Sequence, residues 1–122
     1  MGRLCYYAHS KHLYGSAQEE RDIEAIEKAF DCDVLDPNLA YYERKCKEWD
    51  NPMDYFTEVL VPRCDFLVFR STPDMSITAG VFQEIIKMQS LGRPVFELPS
   101  SITMRGMTVE QTREFLEQIG YR

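Results

Sequence analysis

The chain has 122 residues, 44% of them hydrophobic, and carries 20 acidic against 14 basic side chains for a net charge of −6. That length suits one domain, 1–122, with its own core, and an acidic balance without a basic stripe argues against nucleic acid and anionic membranes as partners. No apolar run reaches bilayer length and no secretory leader is read at the start, so a cytoplasmic protein with reduced thiols is expected.

Arg3 to Ala8 reads as a first strand, aromatic and apolar enough for a central position buried on both sides. His9 to Ser16 is a polar loop. Ser16 and Glu19 form a capping box for an amphipathic helix from Ala17 to Phe30, with Ile23, Ile26 and Phe30 inward. Asp33 to Leu35 is a short second strand closed by Asp36 and Pro37. Leu39 to Trp49 reads equally as a helix or as an irregular lobe. Pro52 to Arg63 reads as a helix with Phe56, Val59 and Leu60 inward. Phe66 to Phe69 is an apolar run fit for a buried strand, and Ser71 to Thr78 is a polar loop broken by Pro73. Ala79 to Leu91 has helical periodicity through Val81, Ile85 and Met88, with Gly92 as the stop and Pro94 beyond it. Val95 to Leu98 is the next strand. After the loop Ser100 to Gly106, Thr108 and Gln111 box a last helix whose packing face is Val109, Phe115, Leu116 and Ile119.

Strands alternating with helices predict a three-layer α/β domain. Its sheet is flavodoxin- or Rossmann-like and mostly parallel, of four to five strands, with helices on both faces. The second strand is expected beside the first, then the third and fourth. Ligands of such sheets bind at the carboxyl ends of the strands, which puts Ser71 to Glu84 at the expected site. Glu84 is the leading candidate there. Its plainer account is an acidic side chain near a helix N-terminus, worth a few tenths to ~1 kcal/mol. His9, Ser10, Lys11 and His12, with Gly15 and Ser16, lead into a helix N-terminus and make a ready anion site. Their plainer account is a solvated loop with capping residues. Ser71, Ser76 and Thr78 are sugar or phosphate candidates whose alternative is turn chemistry. Cys5, Cys32, Cys46 and Cys64 are widely spaced, and His9 and His12 are the only histidines. That spacing fits no common zinc motif, so neither a metal nor a cofactor is expected.

The run Gly80, Val81, Phe82, Gln83, Glu84, followed by Gly92, Pro94 and Val95, is similar to the signature of the nucleoside 2-deoxyribosyltransferase superfamily. Asp65 before Phe66 to Phe69 resembles that family's strand start. Tyr6, Tyr7, Ala8, His9 and Ser10 resemble the first strand and phosphate-side loop of its nucleoside 5′-monophosphate N-glycosidases. The resemblance covers the chain to about Leu98. It implies cleavage or transfer at an N-glycosidic bond of a nucleoside or its monophosphate, without metal, in a homodimer or higher homo-oligomer. Glu84 would be the nucleophile and Tyr6 its hydrogen-bonding partner. An anion beneath the sugar stabilises the positive charge that builds as the bond breaks. His9, Ser10, Ser71, Ser76, Thr78 and Gly80 would hold substrate. The chain departs from the pattern at Phe82, where the family often has glycine, and at Thr57, where it has an aspartate. Asp54, one turn earlier, would replace that aspartate as a catalytic group. Two rival readings are a phosphoribohydrolase, whose usual Gly-Gly-x-Gly-Thr turn is missing here, and a non-catalytic nucleotide sensor.

Overall fold

A computed structural model describes residues 2–99, 108–118 and 120. Its strands are β1 (Leu4–Ala8), β2 (Asp33–Leu35), β3 (Phe66–Phe69) and β4 (Val95–Glu97). Its helices are α1 (Ala17–Phe30), α2 (Ala40–Cys46), α3 (Pro52–Tyr55), α4 (Ala79–Ser90) and α5 (Val109–Gln118). The strands form one sheet in the order β2-β1-β3-β4, and every pairing is parallel. This is the expected Rossmann-like arrangement.

Strand alternation divides the core in two. Tyr6, Ala8 and Leu67 face Leu60, Val81, Ile85 and Met88 on one side. Cys5, Tyr7, Phe66 and Val68 face Ile26 on the other, with Ile23 and Phe30 packed beside it. The two central strands are therefore buried on both faces, as their unbroken apolar runs require. Each large side chain so buried stabilises the fold by about 1.5–3 kcal/mol.

The helix boundaries follow local chemistry. Glu19 N–H donates to Ser16 Oγ at 3.1 Å, which caps α1. Thr108 and Gln111 bond reciprocally, N–H to side-chain oxygen, at 2.9 and 3.1 Å. Gly92 ends α4 with φ +71°, and Arg93 N–H reaches back to the Met88 carbonyl at 3.3 Å. A residue with a Cβ is disfavoured at that φ.

Two expectations change, and one left open is resolved. The helix expected over Pro52 to Arg63 is not continuous: after α3 it widens into a π-helical turn, Phe56–Leu60, then tightens into a 3₁₀ turn, Val61–Arg63. Thr57 Oγ1 donates to the Met53 carbonyl at 3.2 Å and competes with the backbone for that acceptor. Pro62, in the 3₁₀ turn, lacks the N–H an α-helix would use there. The stretch Leu39 to Trp49 resolves as the short helix α2 followed by turns. In α5, Val109 and Phe115 are exposed rather than packed. The expected loop Ser100 to Gly106, and Ile119, lie outside the described residues.

Candidate functional site

β1 and β3 lie side by side, and the loops at their carboxyl ends open onto one cavity of about 510 Å³. Glu84 projects into it from the second turn of α4. Val81, Ile85 and Met88 anchor that helix to the sheet, and Glu84 shares their buried side, at 6% exposure. Behind it, Tyr6 from β1 is fully buried and its hydroxyl donates to the Glu84 carboxylate. Burial pushes the Glu84 carboxyl up to about 8, and the Tyr6 bond pulls in the other direction. Burial therefore favours the protonated acid, and the Tyr6 bond favours the anion.

His9, Ser10, Thr78 and Gly80 also line the cavity. A Cβ added at Gly80 would meet Met53 Sδ at 3.6 Å, an ordinary contact, so the glycine leaves room rather than avoiding a clash. Asp54 is exposed at the start of α3 and is not among the lining residues. Ser71 is buried but does not line the cavity. Ser76 is exposed, and its hydroxyl and N–H bond to Asp74 Oδ1 at 2.7 and 3.1 Å, closing the turn of its own loop. Phe82 points away: it is 52% exposed and lines a separate groove with Thr57 and Ile86. Its bulk therefore leaves the space around Glu84 untouched.

Several further residues line the cavity. Tyr14 borders the cavity beside His9, with ring centroids 5.0 Å apart. Burial, then the nearby Glu84 charge, raise its hydroxyl above the ordinary tyrosine value. An aromatic in an otherwise polar loop after β1 was the available signal. Met53 and Phe56 supply an apolar wall. Phe56, expected only as core, opens the π-helical turn and lines the cavity as well.

His9 is held from several directions. Its ring stacks on Tyr7 at 3.8 Å with planes 6° apart. Nδ1 lies 3.0 Å from the Tyr7 carbonyl, and Nε2 lies 2.7 Å from Glu19 Oε2. Tyr7 in turn donates to Asp22 Oδ2 at 2.5 Å, and Arg70 donates to both Asp22 oxygens at 2.6 and 2.8 Å. Burial raises the Asp22 carboxyl, but the bonds from Arg70, Tyr7 and Gln18 outweigh it, and the net shift is downward.

Chemically, the arrangement offers an ionisable carboxyl in a dry wall, a phenol that favours its anion, a polar rim and an apolar wall. Compared with known proteins, the chain matches no family model, no curated protein and no solved structure. What fold and site define is a class: a Rossmann-like α/β domain with a buried tyrosine–glutamate pair at an open strand-end cavity. Among the described residues, no helix is long and apolar enough to cross a membrane.

Proposed function

We propose that this protein cleaves or transfers the N-glycosidic bond of a nucleoside or nucleoside 5′-monophosphate, with Glu84 as the nucleophile. The observation that carries the reading is the Tyr6–Glu84 pair set in the wall of the cavity. As the glycosidic bond breaks, the anomeric carbon becomes electron-poor. An ionised Glu84 stabilises that charge and captures it as a glycosyl ester. The Tyr6 hydroxyl orients the carboxylate and favours its charged form. The base leaves with the bonding electron pair and takes a proton from solvent; water, or an acceptor base, then attacks the same carbon, gives up a proton and displaces the Glu84 carboxylate. Ser10, Lys11 and Thr78 offer hydroxyl and ammonium groups for a sugar or its phosphate, and Met53 and Phe56 an apolar wall for a planar base. The resemblance also supports a cytoplasmic homo-oligomer.

The test is incubation with a panel of nucleosides and their 5′-monophosphates, with free base measured by chromatography. Release of base by the native chain and its loss in Glu84→Gln supports the reading. No release from any member of the panel overturns it.

One observation favours a second reading, a nucleotide sensor without turnover. Burial favours the protonated form of Glu84, and a neutral carboxyl donates a hydrogen bond rather than attacking carbon. That reading expects saturable nucleotide binding without base release at any pH.

A further inference from the structure

His9, Glu19 and Asp36 come from the end of β1, the first turn of α1 and the end of β2, yet their side chains converge. One potential ligand atom from each lies within 4.8 Å of the others. The geometry points to a binding site for a divalent first-row transition cation, Mn²⁺ or Zn²⁺, built from His9 Nε2 and the Glu19 and Asp36 carboxylates.

The imidazole of His9 is fixed in tautomer and orientation. Its Nδ1 faces the Tyr7 carbonyl at 3.0 Å, and a carbonyl only accepts, so Nδ1 carries the hydrogen. A histidine held in this way by a backbone carbonyl has its other nitrogen aimed and its tautomer fixed, which is the outer-shell arrangement of metal-binding histidines. The Tyr7 ring, stacked at 3.8 Å, locks the imidazole plane as well. Nε2 then faces only acceptors: Glu19 Oε2 at 2.7 Å and Asp36 Oδ1 at 3.9 Å. Two carboxylates and a ring lone pair repel one another unless a positive centre joins them. One candidate is a proton on Nε2, which serves the Glu19 contact alone. The other is a metal ion, which serves all three.

The dimensions suit the second. Metal–nitrogen and metal–oxygen bonds of about 2.0–2.2 Å put neighbouring ligand atoms roughly 3–4 Å apart. Only modest side-chain adjustment separates the trio from that spacing. One imidazole with two carboxylates matches Mn²⁺ and Zn²⁺ better than a soft, thiolate-seeking ion. Glu19 is further oriented by the Gly15 N–H at 3.0 Å and the Asn38 amide at 3.2 Å. Asp36 takes the Asn38 N–H at 2.9 Å, and its side chain is 18% exposed, which leaves an entry path. The residues stand too far apart in sequence for any short metal motif, so spacing gave no sign of them.

The experiment is calorimetric titration of the chelator-treated full chain with Mn²⁺, repeated with Zn²⁺. We expect one saturable site per chain. Asp36→Asn keeps the shape and removes a ligand charge at a partly exposed position. It should weaken binding at least about tenfold, the scale of even an outer-shell change, with the far-ultraviolet circular dichroism unaltered. His12→Ala removes the exposed histidine and should change nothing. Absence of saturable binding overturns the proposal, and so does undiminished binding in Asp36→Asn or loss of binding in His12→Ala. Base release is not read in this experiment, so its outcome is independent of the glycosidase reading.

Discussion

The Tyr6 hydroxyl donates to the Glu84 carboxylate across 78 positions of sequence, with both groups buried. The pair couples the central strand to α4 and sets when Glu84 ionises. If Glu84 must be charged to act, kcat/KM should rise with pH and level off above an apparent pKa of about 8. Tyr6→Phe removes the bond that favours the anion. Its rising limb should move to higher pH, and the plateau should fall. A pH–rate profile that is flat from about pH 6 to 9, roughly the range over which such a group titrates, would refute the ionisation step.

Glu84→Gln keeps the shape of the side chain and removes its charge. We expect turnover to fall by ~10²-fold or more, as for other positioned electrostatic groups, with little change in binding. Stability should respond to pH in a defined direction. The folded-state pKa is raised from 4.5 to about 8, so the native state holds a proton the unfolded chain has lost. The contribution is complete below about 4.5 and is lost as pH rises through about 8. Native protein should therefore lose stability over that window, with a slope from this group of at most about 1.4 kcal/mol per pH unit. Denaturant titrations should show the Gln variant lacking that slope. Parallel curves for the two proteins would count against a buried, proton-holding Glu84.

Much of the fold was legible because its signals are local. The boundaries of β2 and β3 follow directly from short apolar runs between turn residues, and Gly92 marks the end of α4. Parallel order followed from alternation alone. The π-helical turn was not legible, because a single threonine hydroxyl competing for the Met53 carbonyl leaves no periodic trace. The site was legible in part. Glu84, His9, Ser10, Thr78 and Gly80 line the cavity at the carboxyl ends of β1 and β3, where the topology concentrates ligands. Tyr14, Met53 and Phe56 reach the same cavity by the path of the chain between elements, which no spacing rule encodes. Glu19 shows the limit best. Read as half of a capping box, it has its N–H on Ser16 as expected, but its carboxylate turns to His9 and to the Gly15 N–H.

The thiols provide a check on burial. Burial pushes the Cys64 thiol up to about 12 and raises Cys5 still further above its ordinary value. The thiolate is the reactive form, so neither should react with an alkylating reagent in the native protein at neutral pH. Denaturation without reductant should expose four reactive groups, since Cys5, Cys32, Cys46 and Cys64 are all free. Rapid native alkylation of Cys5 or Cys64, read by mass spectrometry, would contradict the packing described here.

The last expectation concerns the far side of the sheet. Arg70 grips both oxygens of Asp22, and Asp22 receives the Tyr7 hydroxyl that supports the His9 stack. Removing one member of a buried pair leaves the other charge without compensation, at a cost of about 3–5 kcal/mol. Arg70 is itself partly exposed, so Arg70→Met should cost about 3 kcal/mol, the lower end of that range. The pH dependence has the opposite sign to that of Glu84. The folded-state pKa of Asp22 is depressed below 3.8. Its stabilisation is present above the unfolded value and is lost as pH falls through the folded one. Native protein should lose this contribution on acidification, and Asp22→Asn should show a shallower acid limb in denaturant titrations. Replacing both partners together, Arg70→Met with Asp22→Asn, removes the unpaired charge, keeps an acceptor for the Tyr7 hydroxyl and should recover much of the single-variant loss. If the two single losses simply add in the double variant, Arg70 and Asp22 are not energetically coupled and the bidentate contact does not hold the α1 face in place.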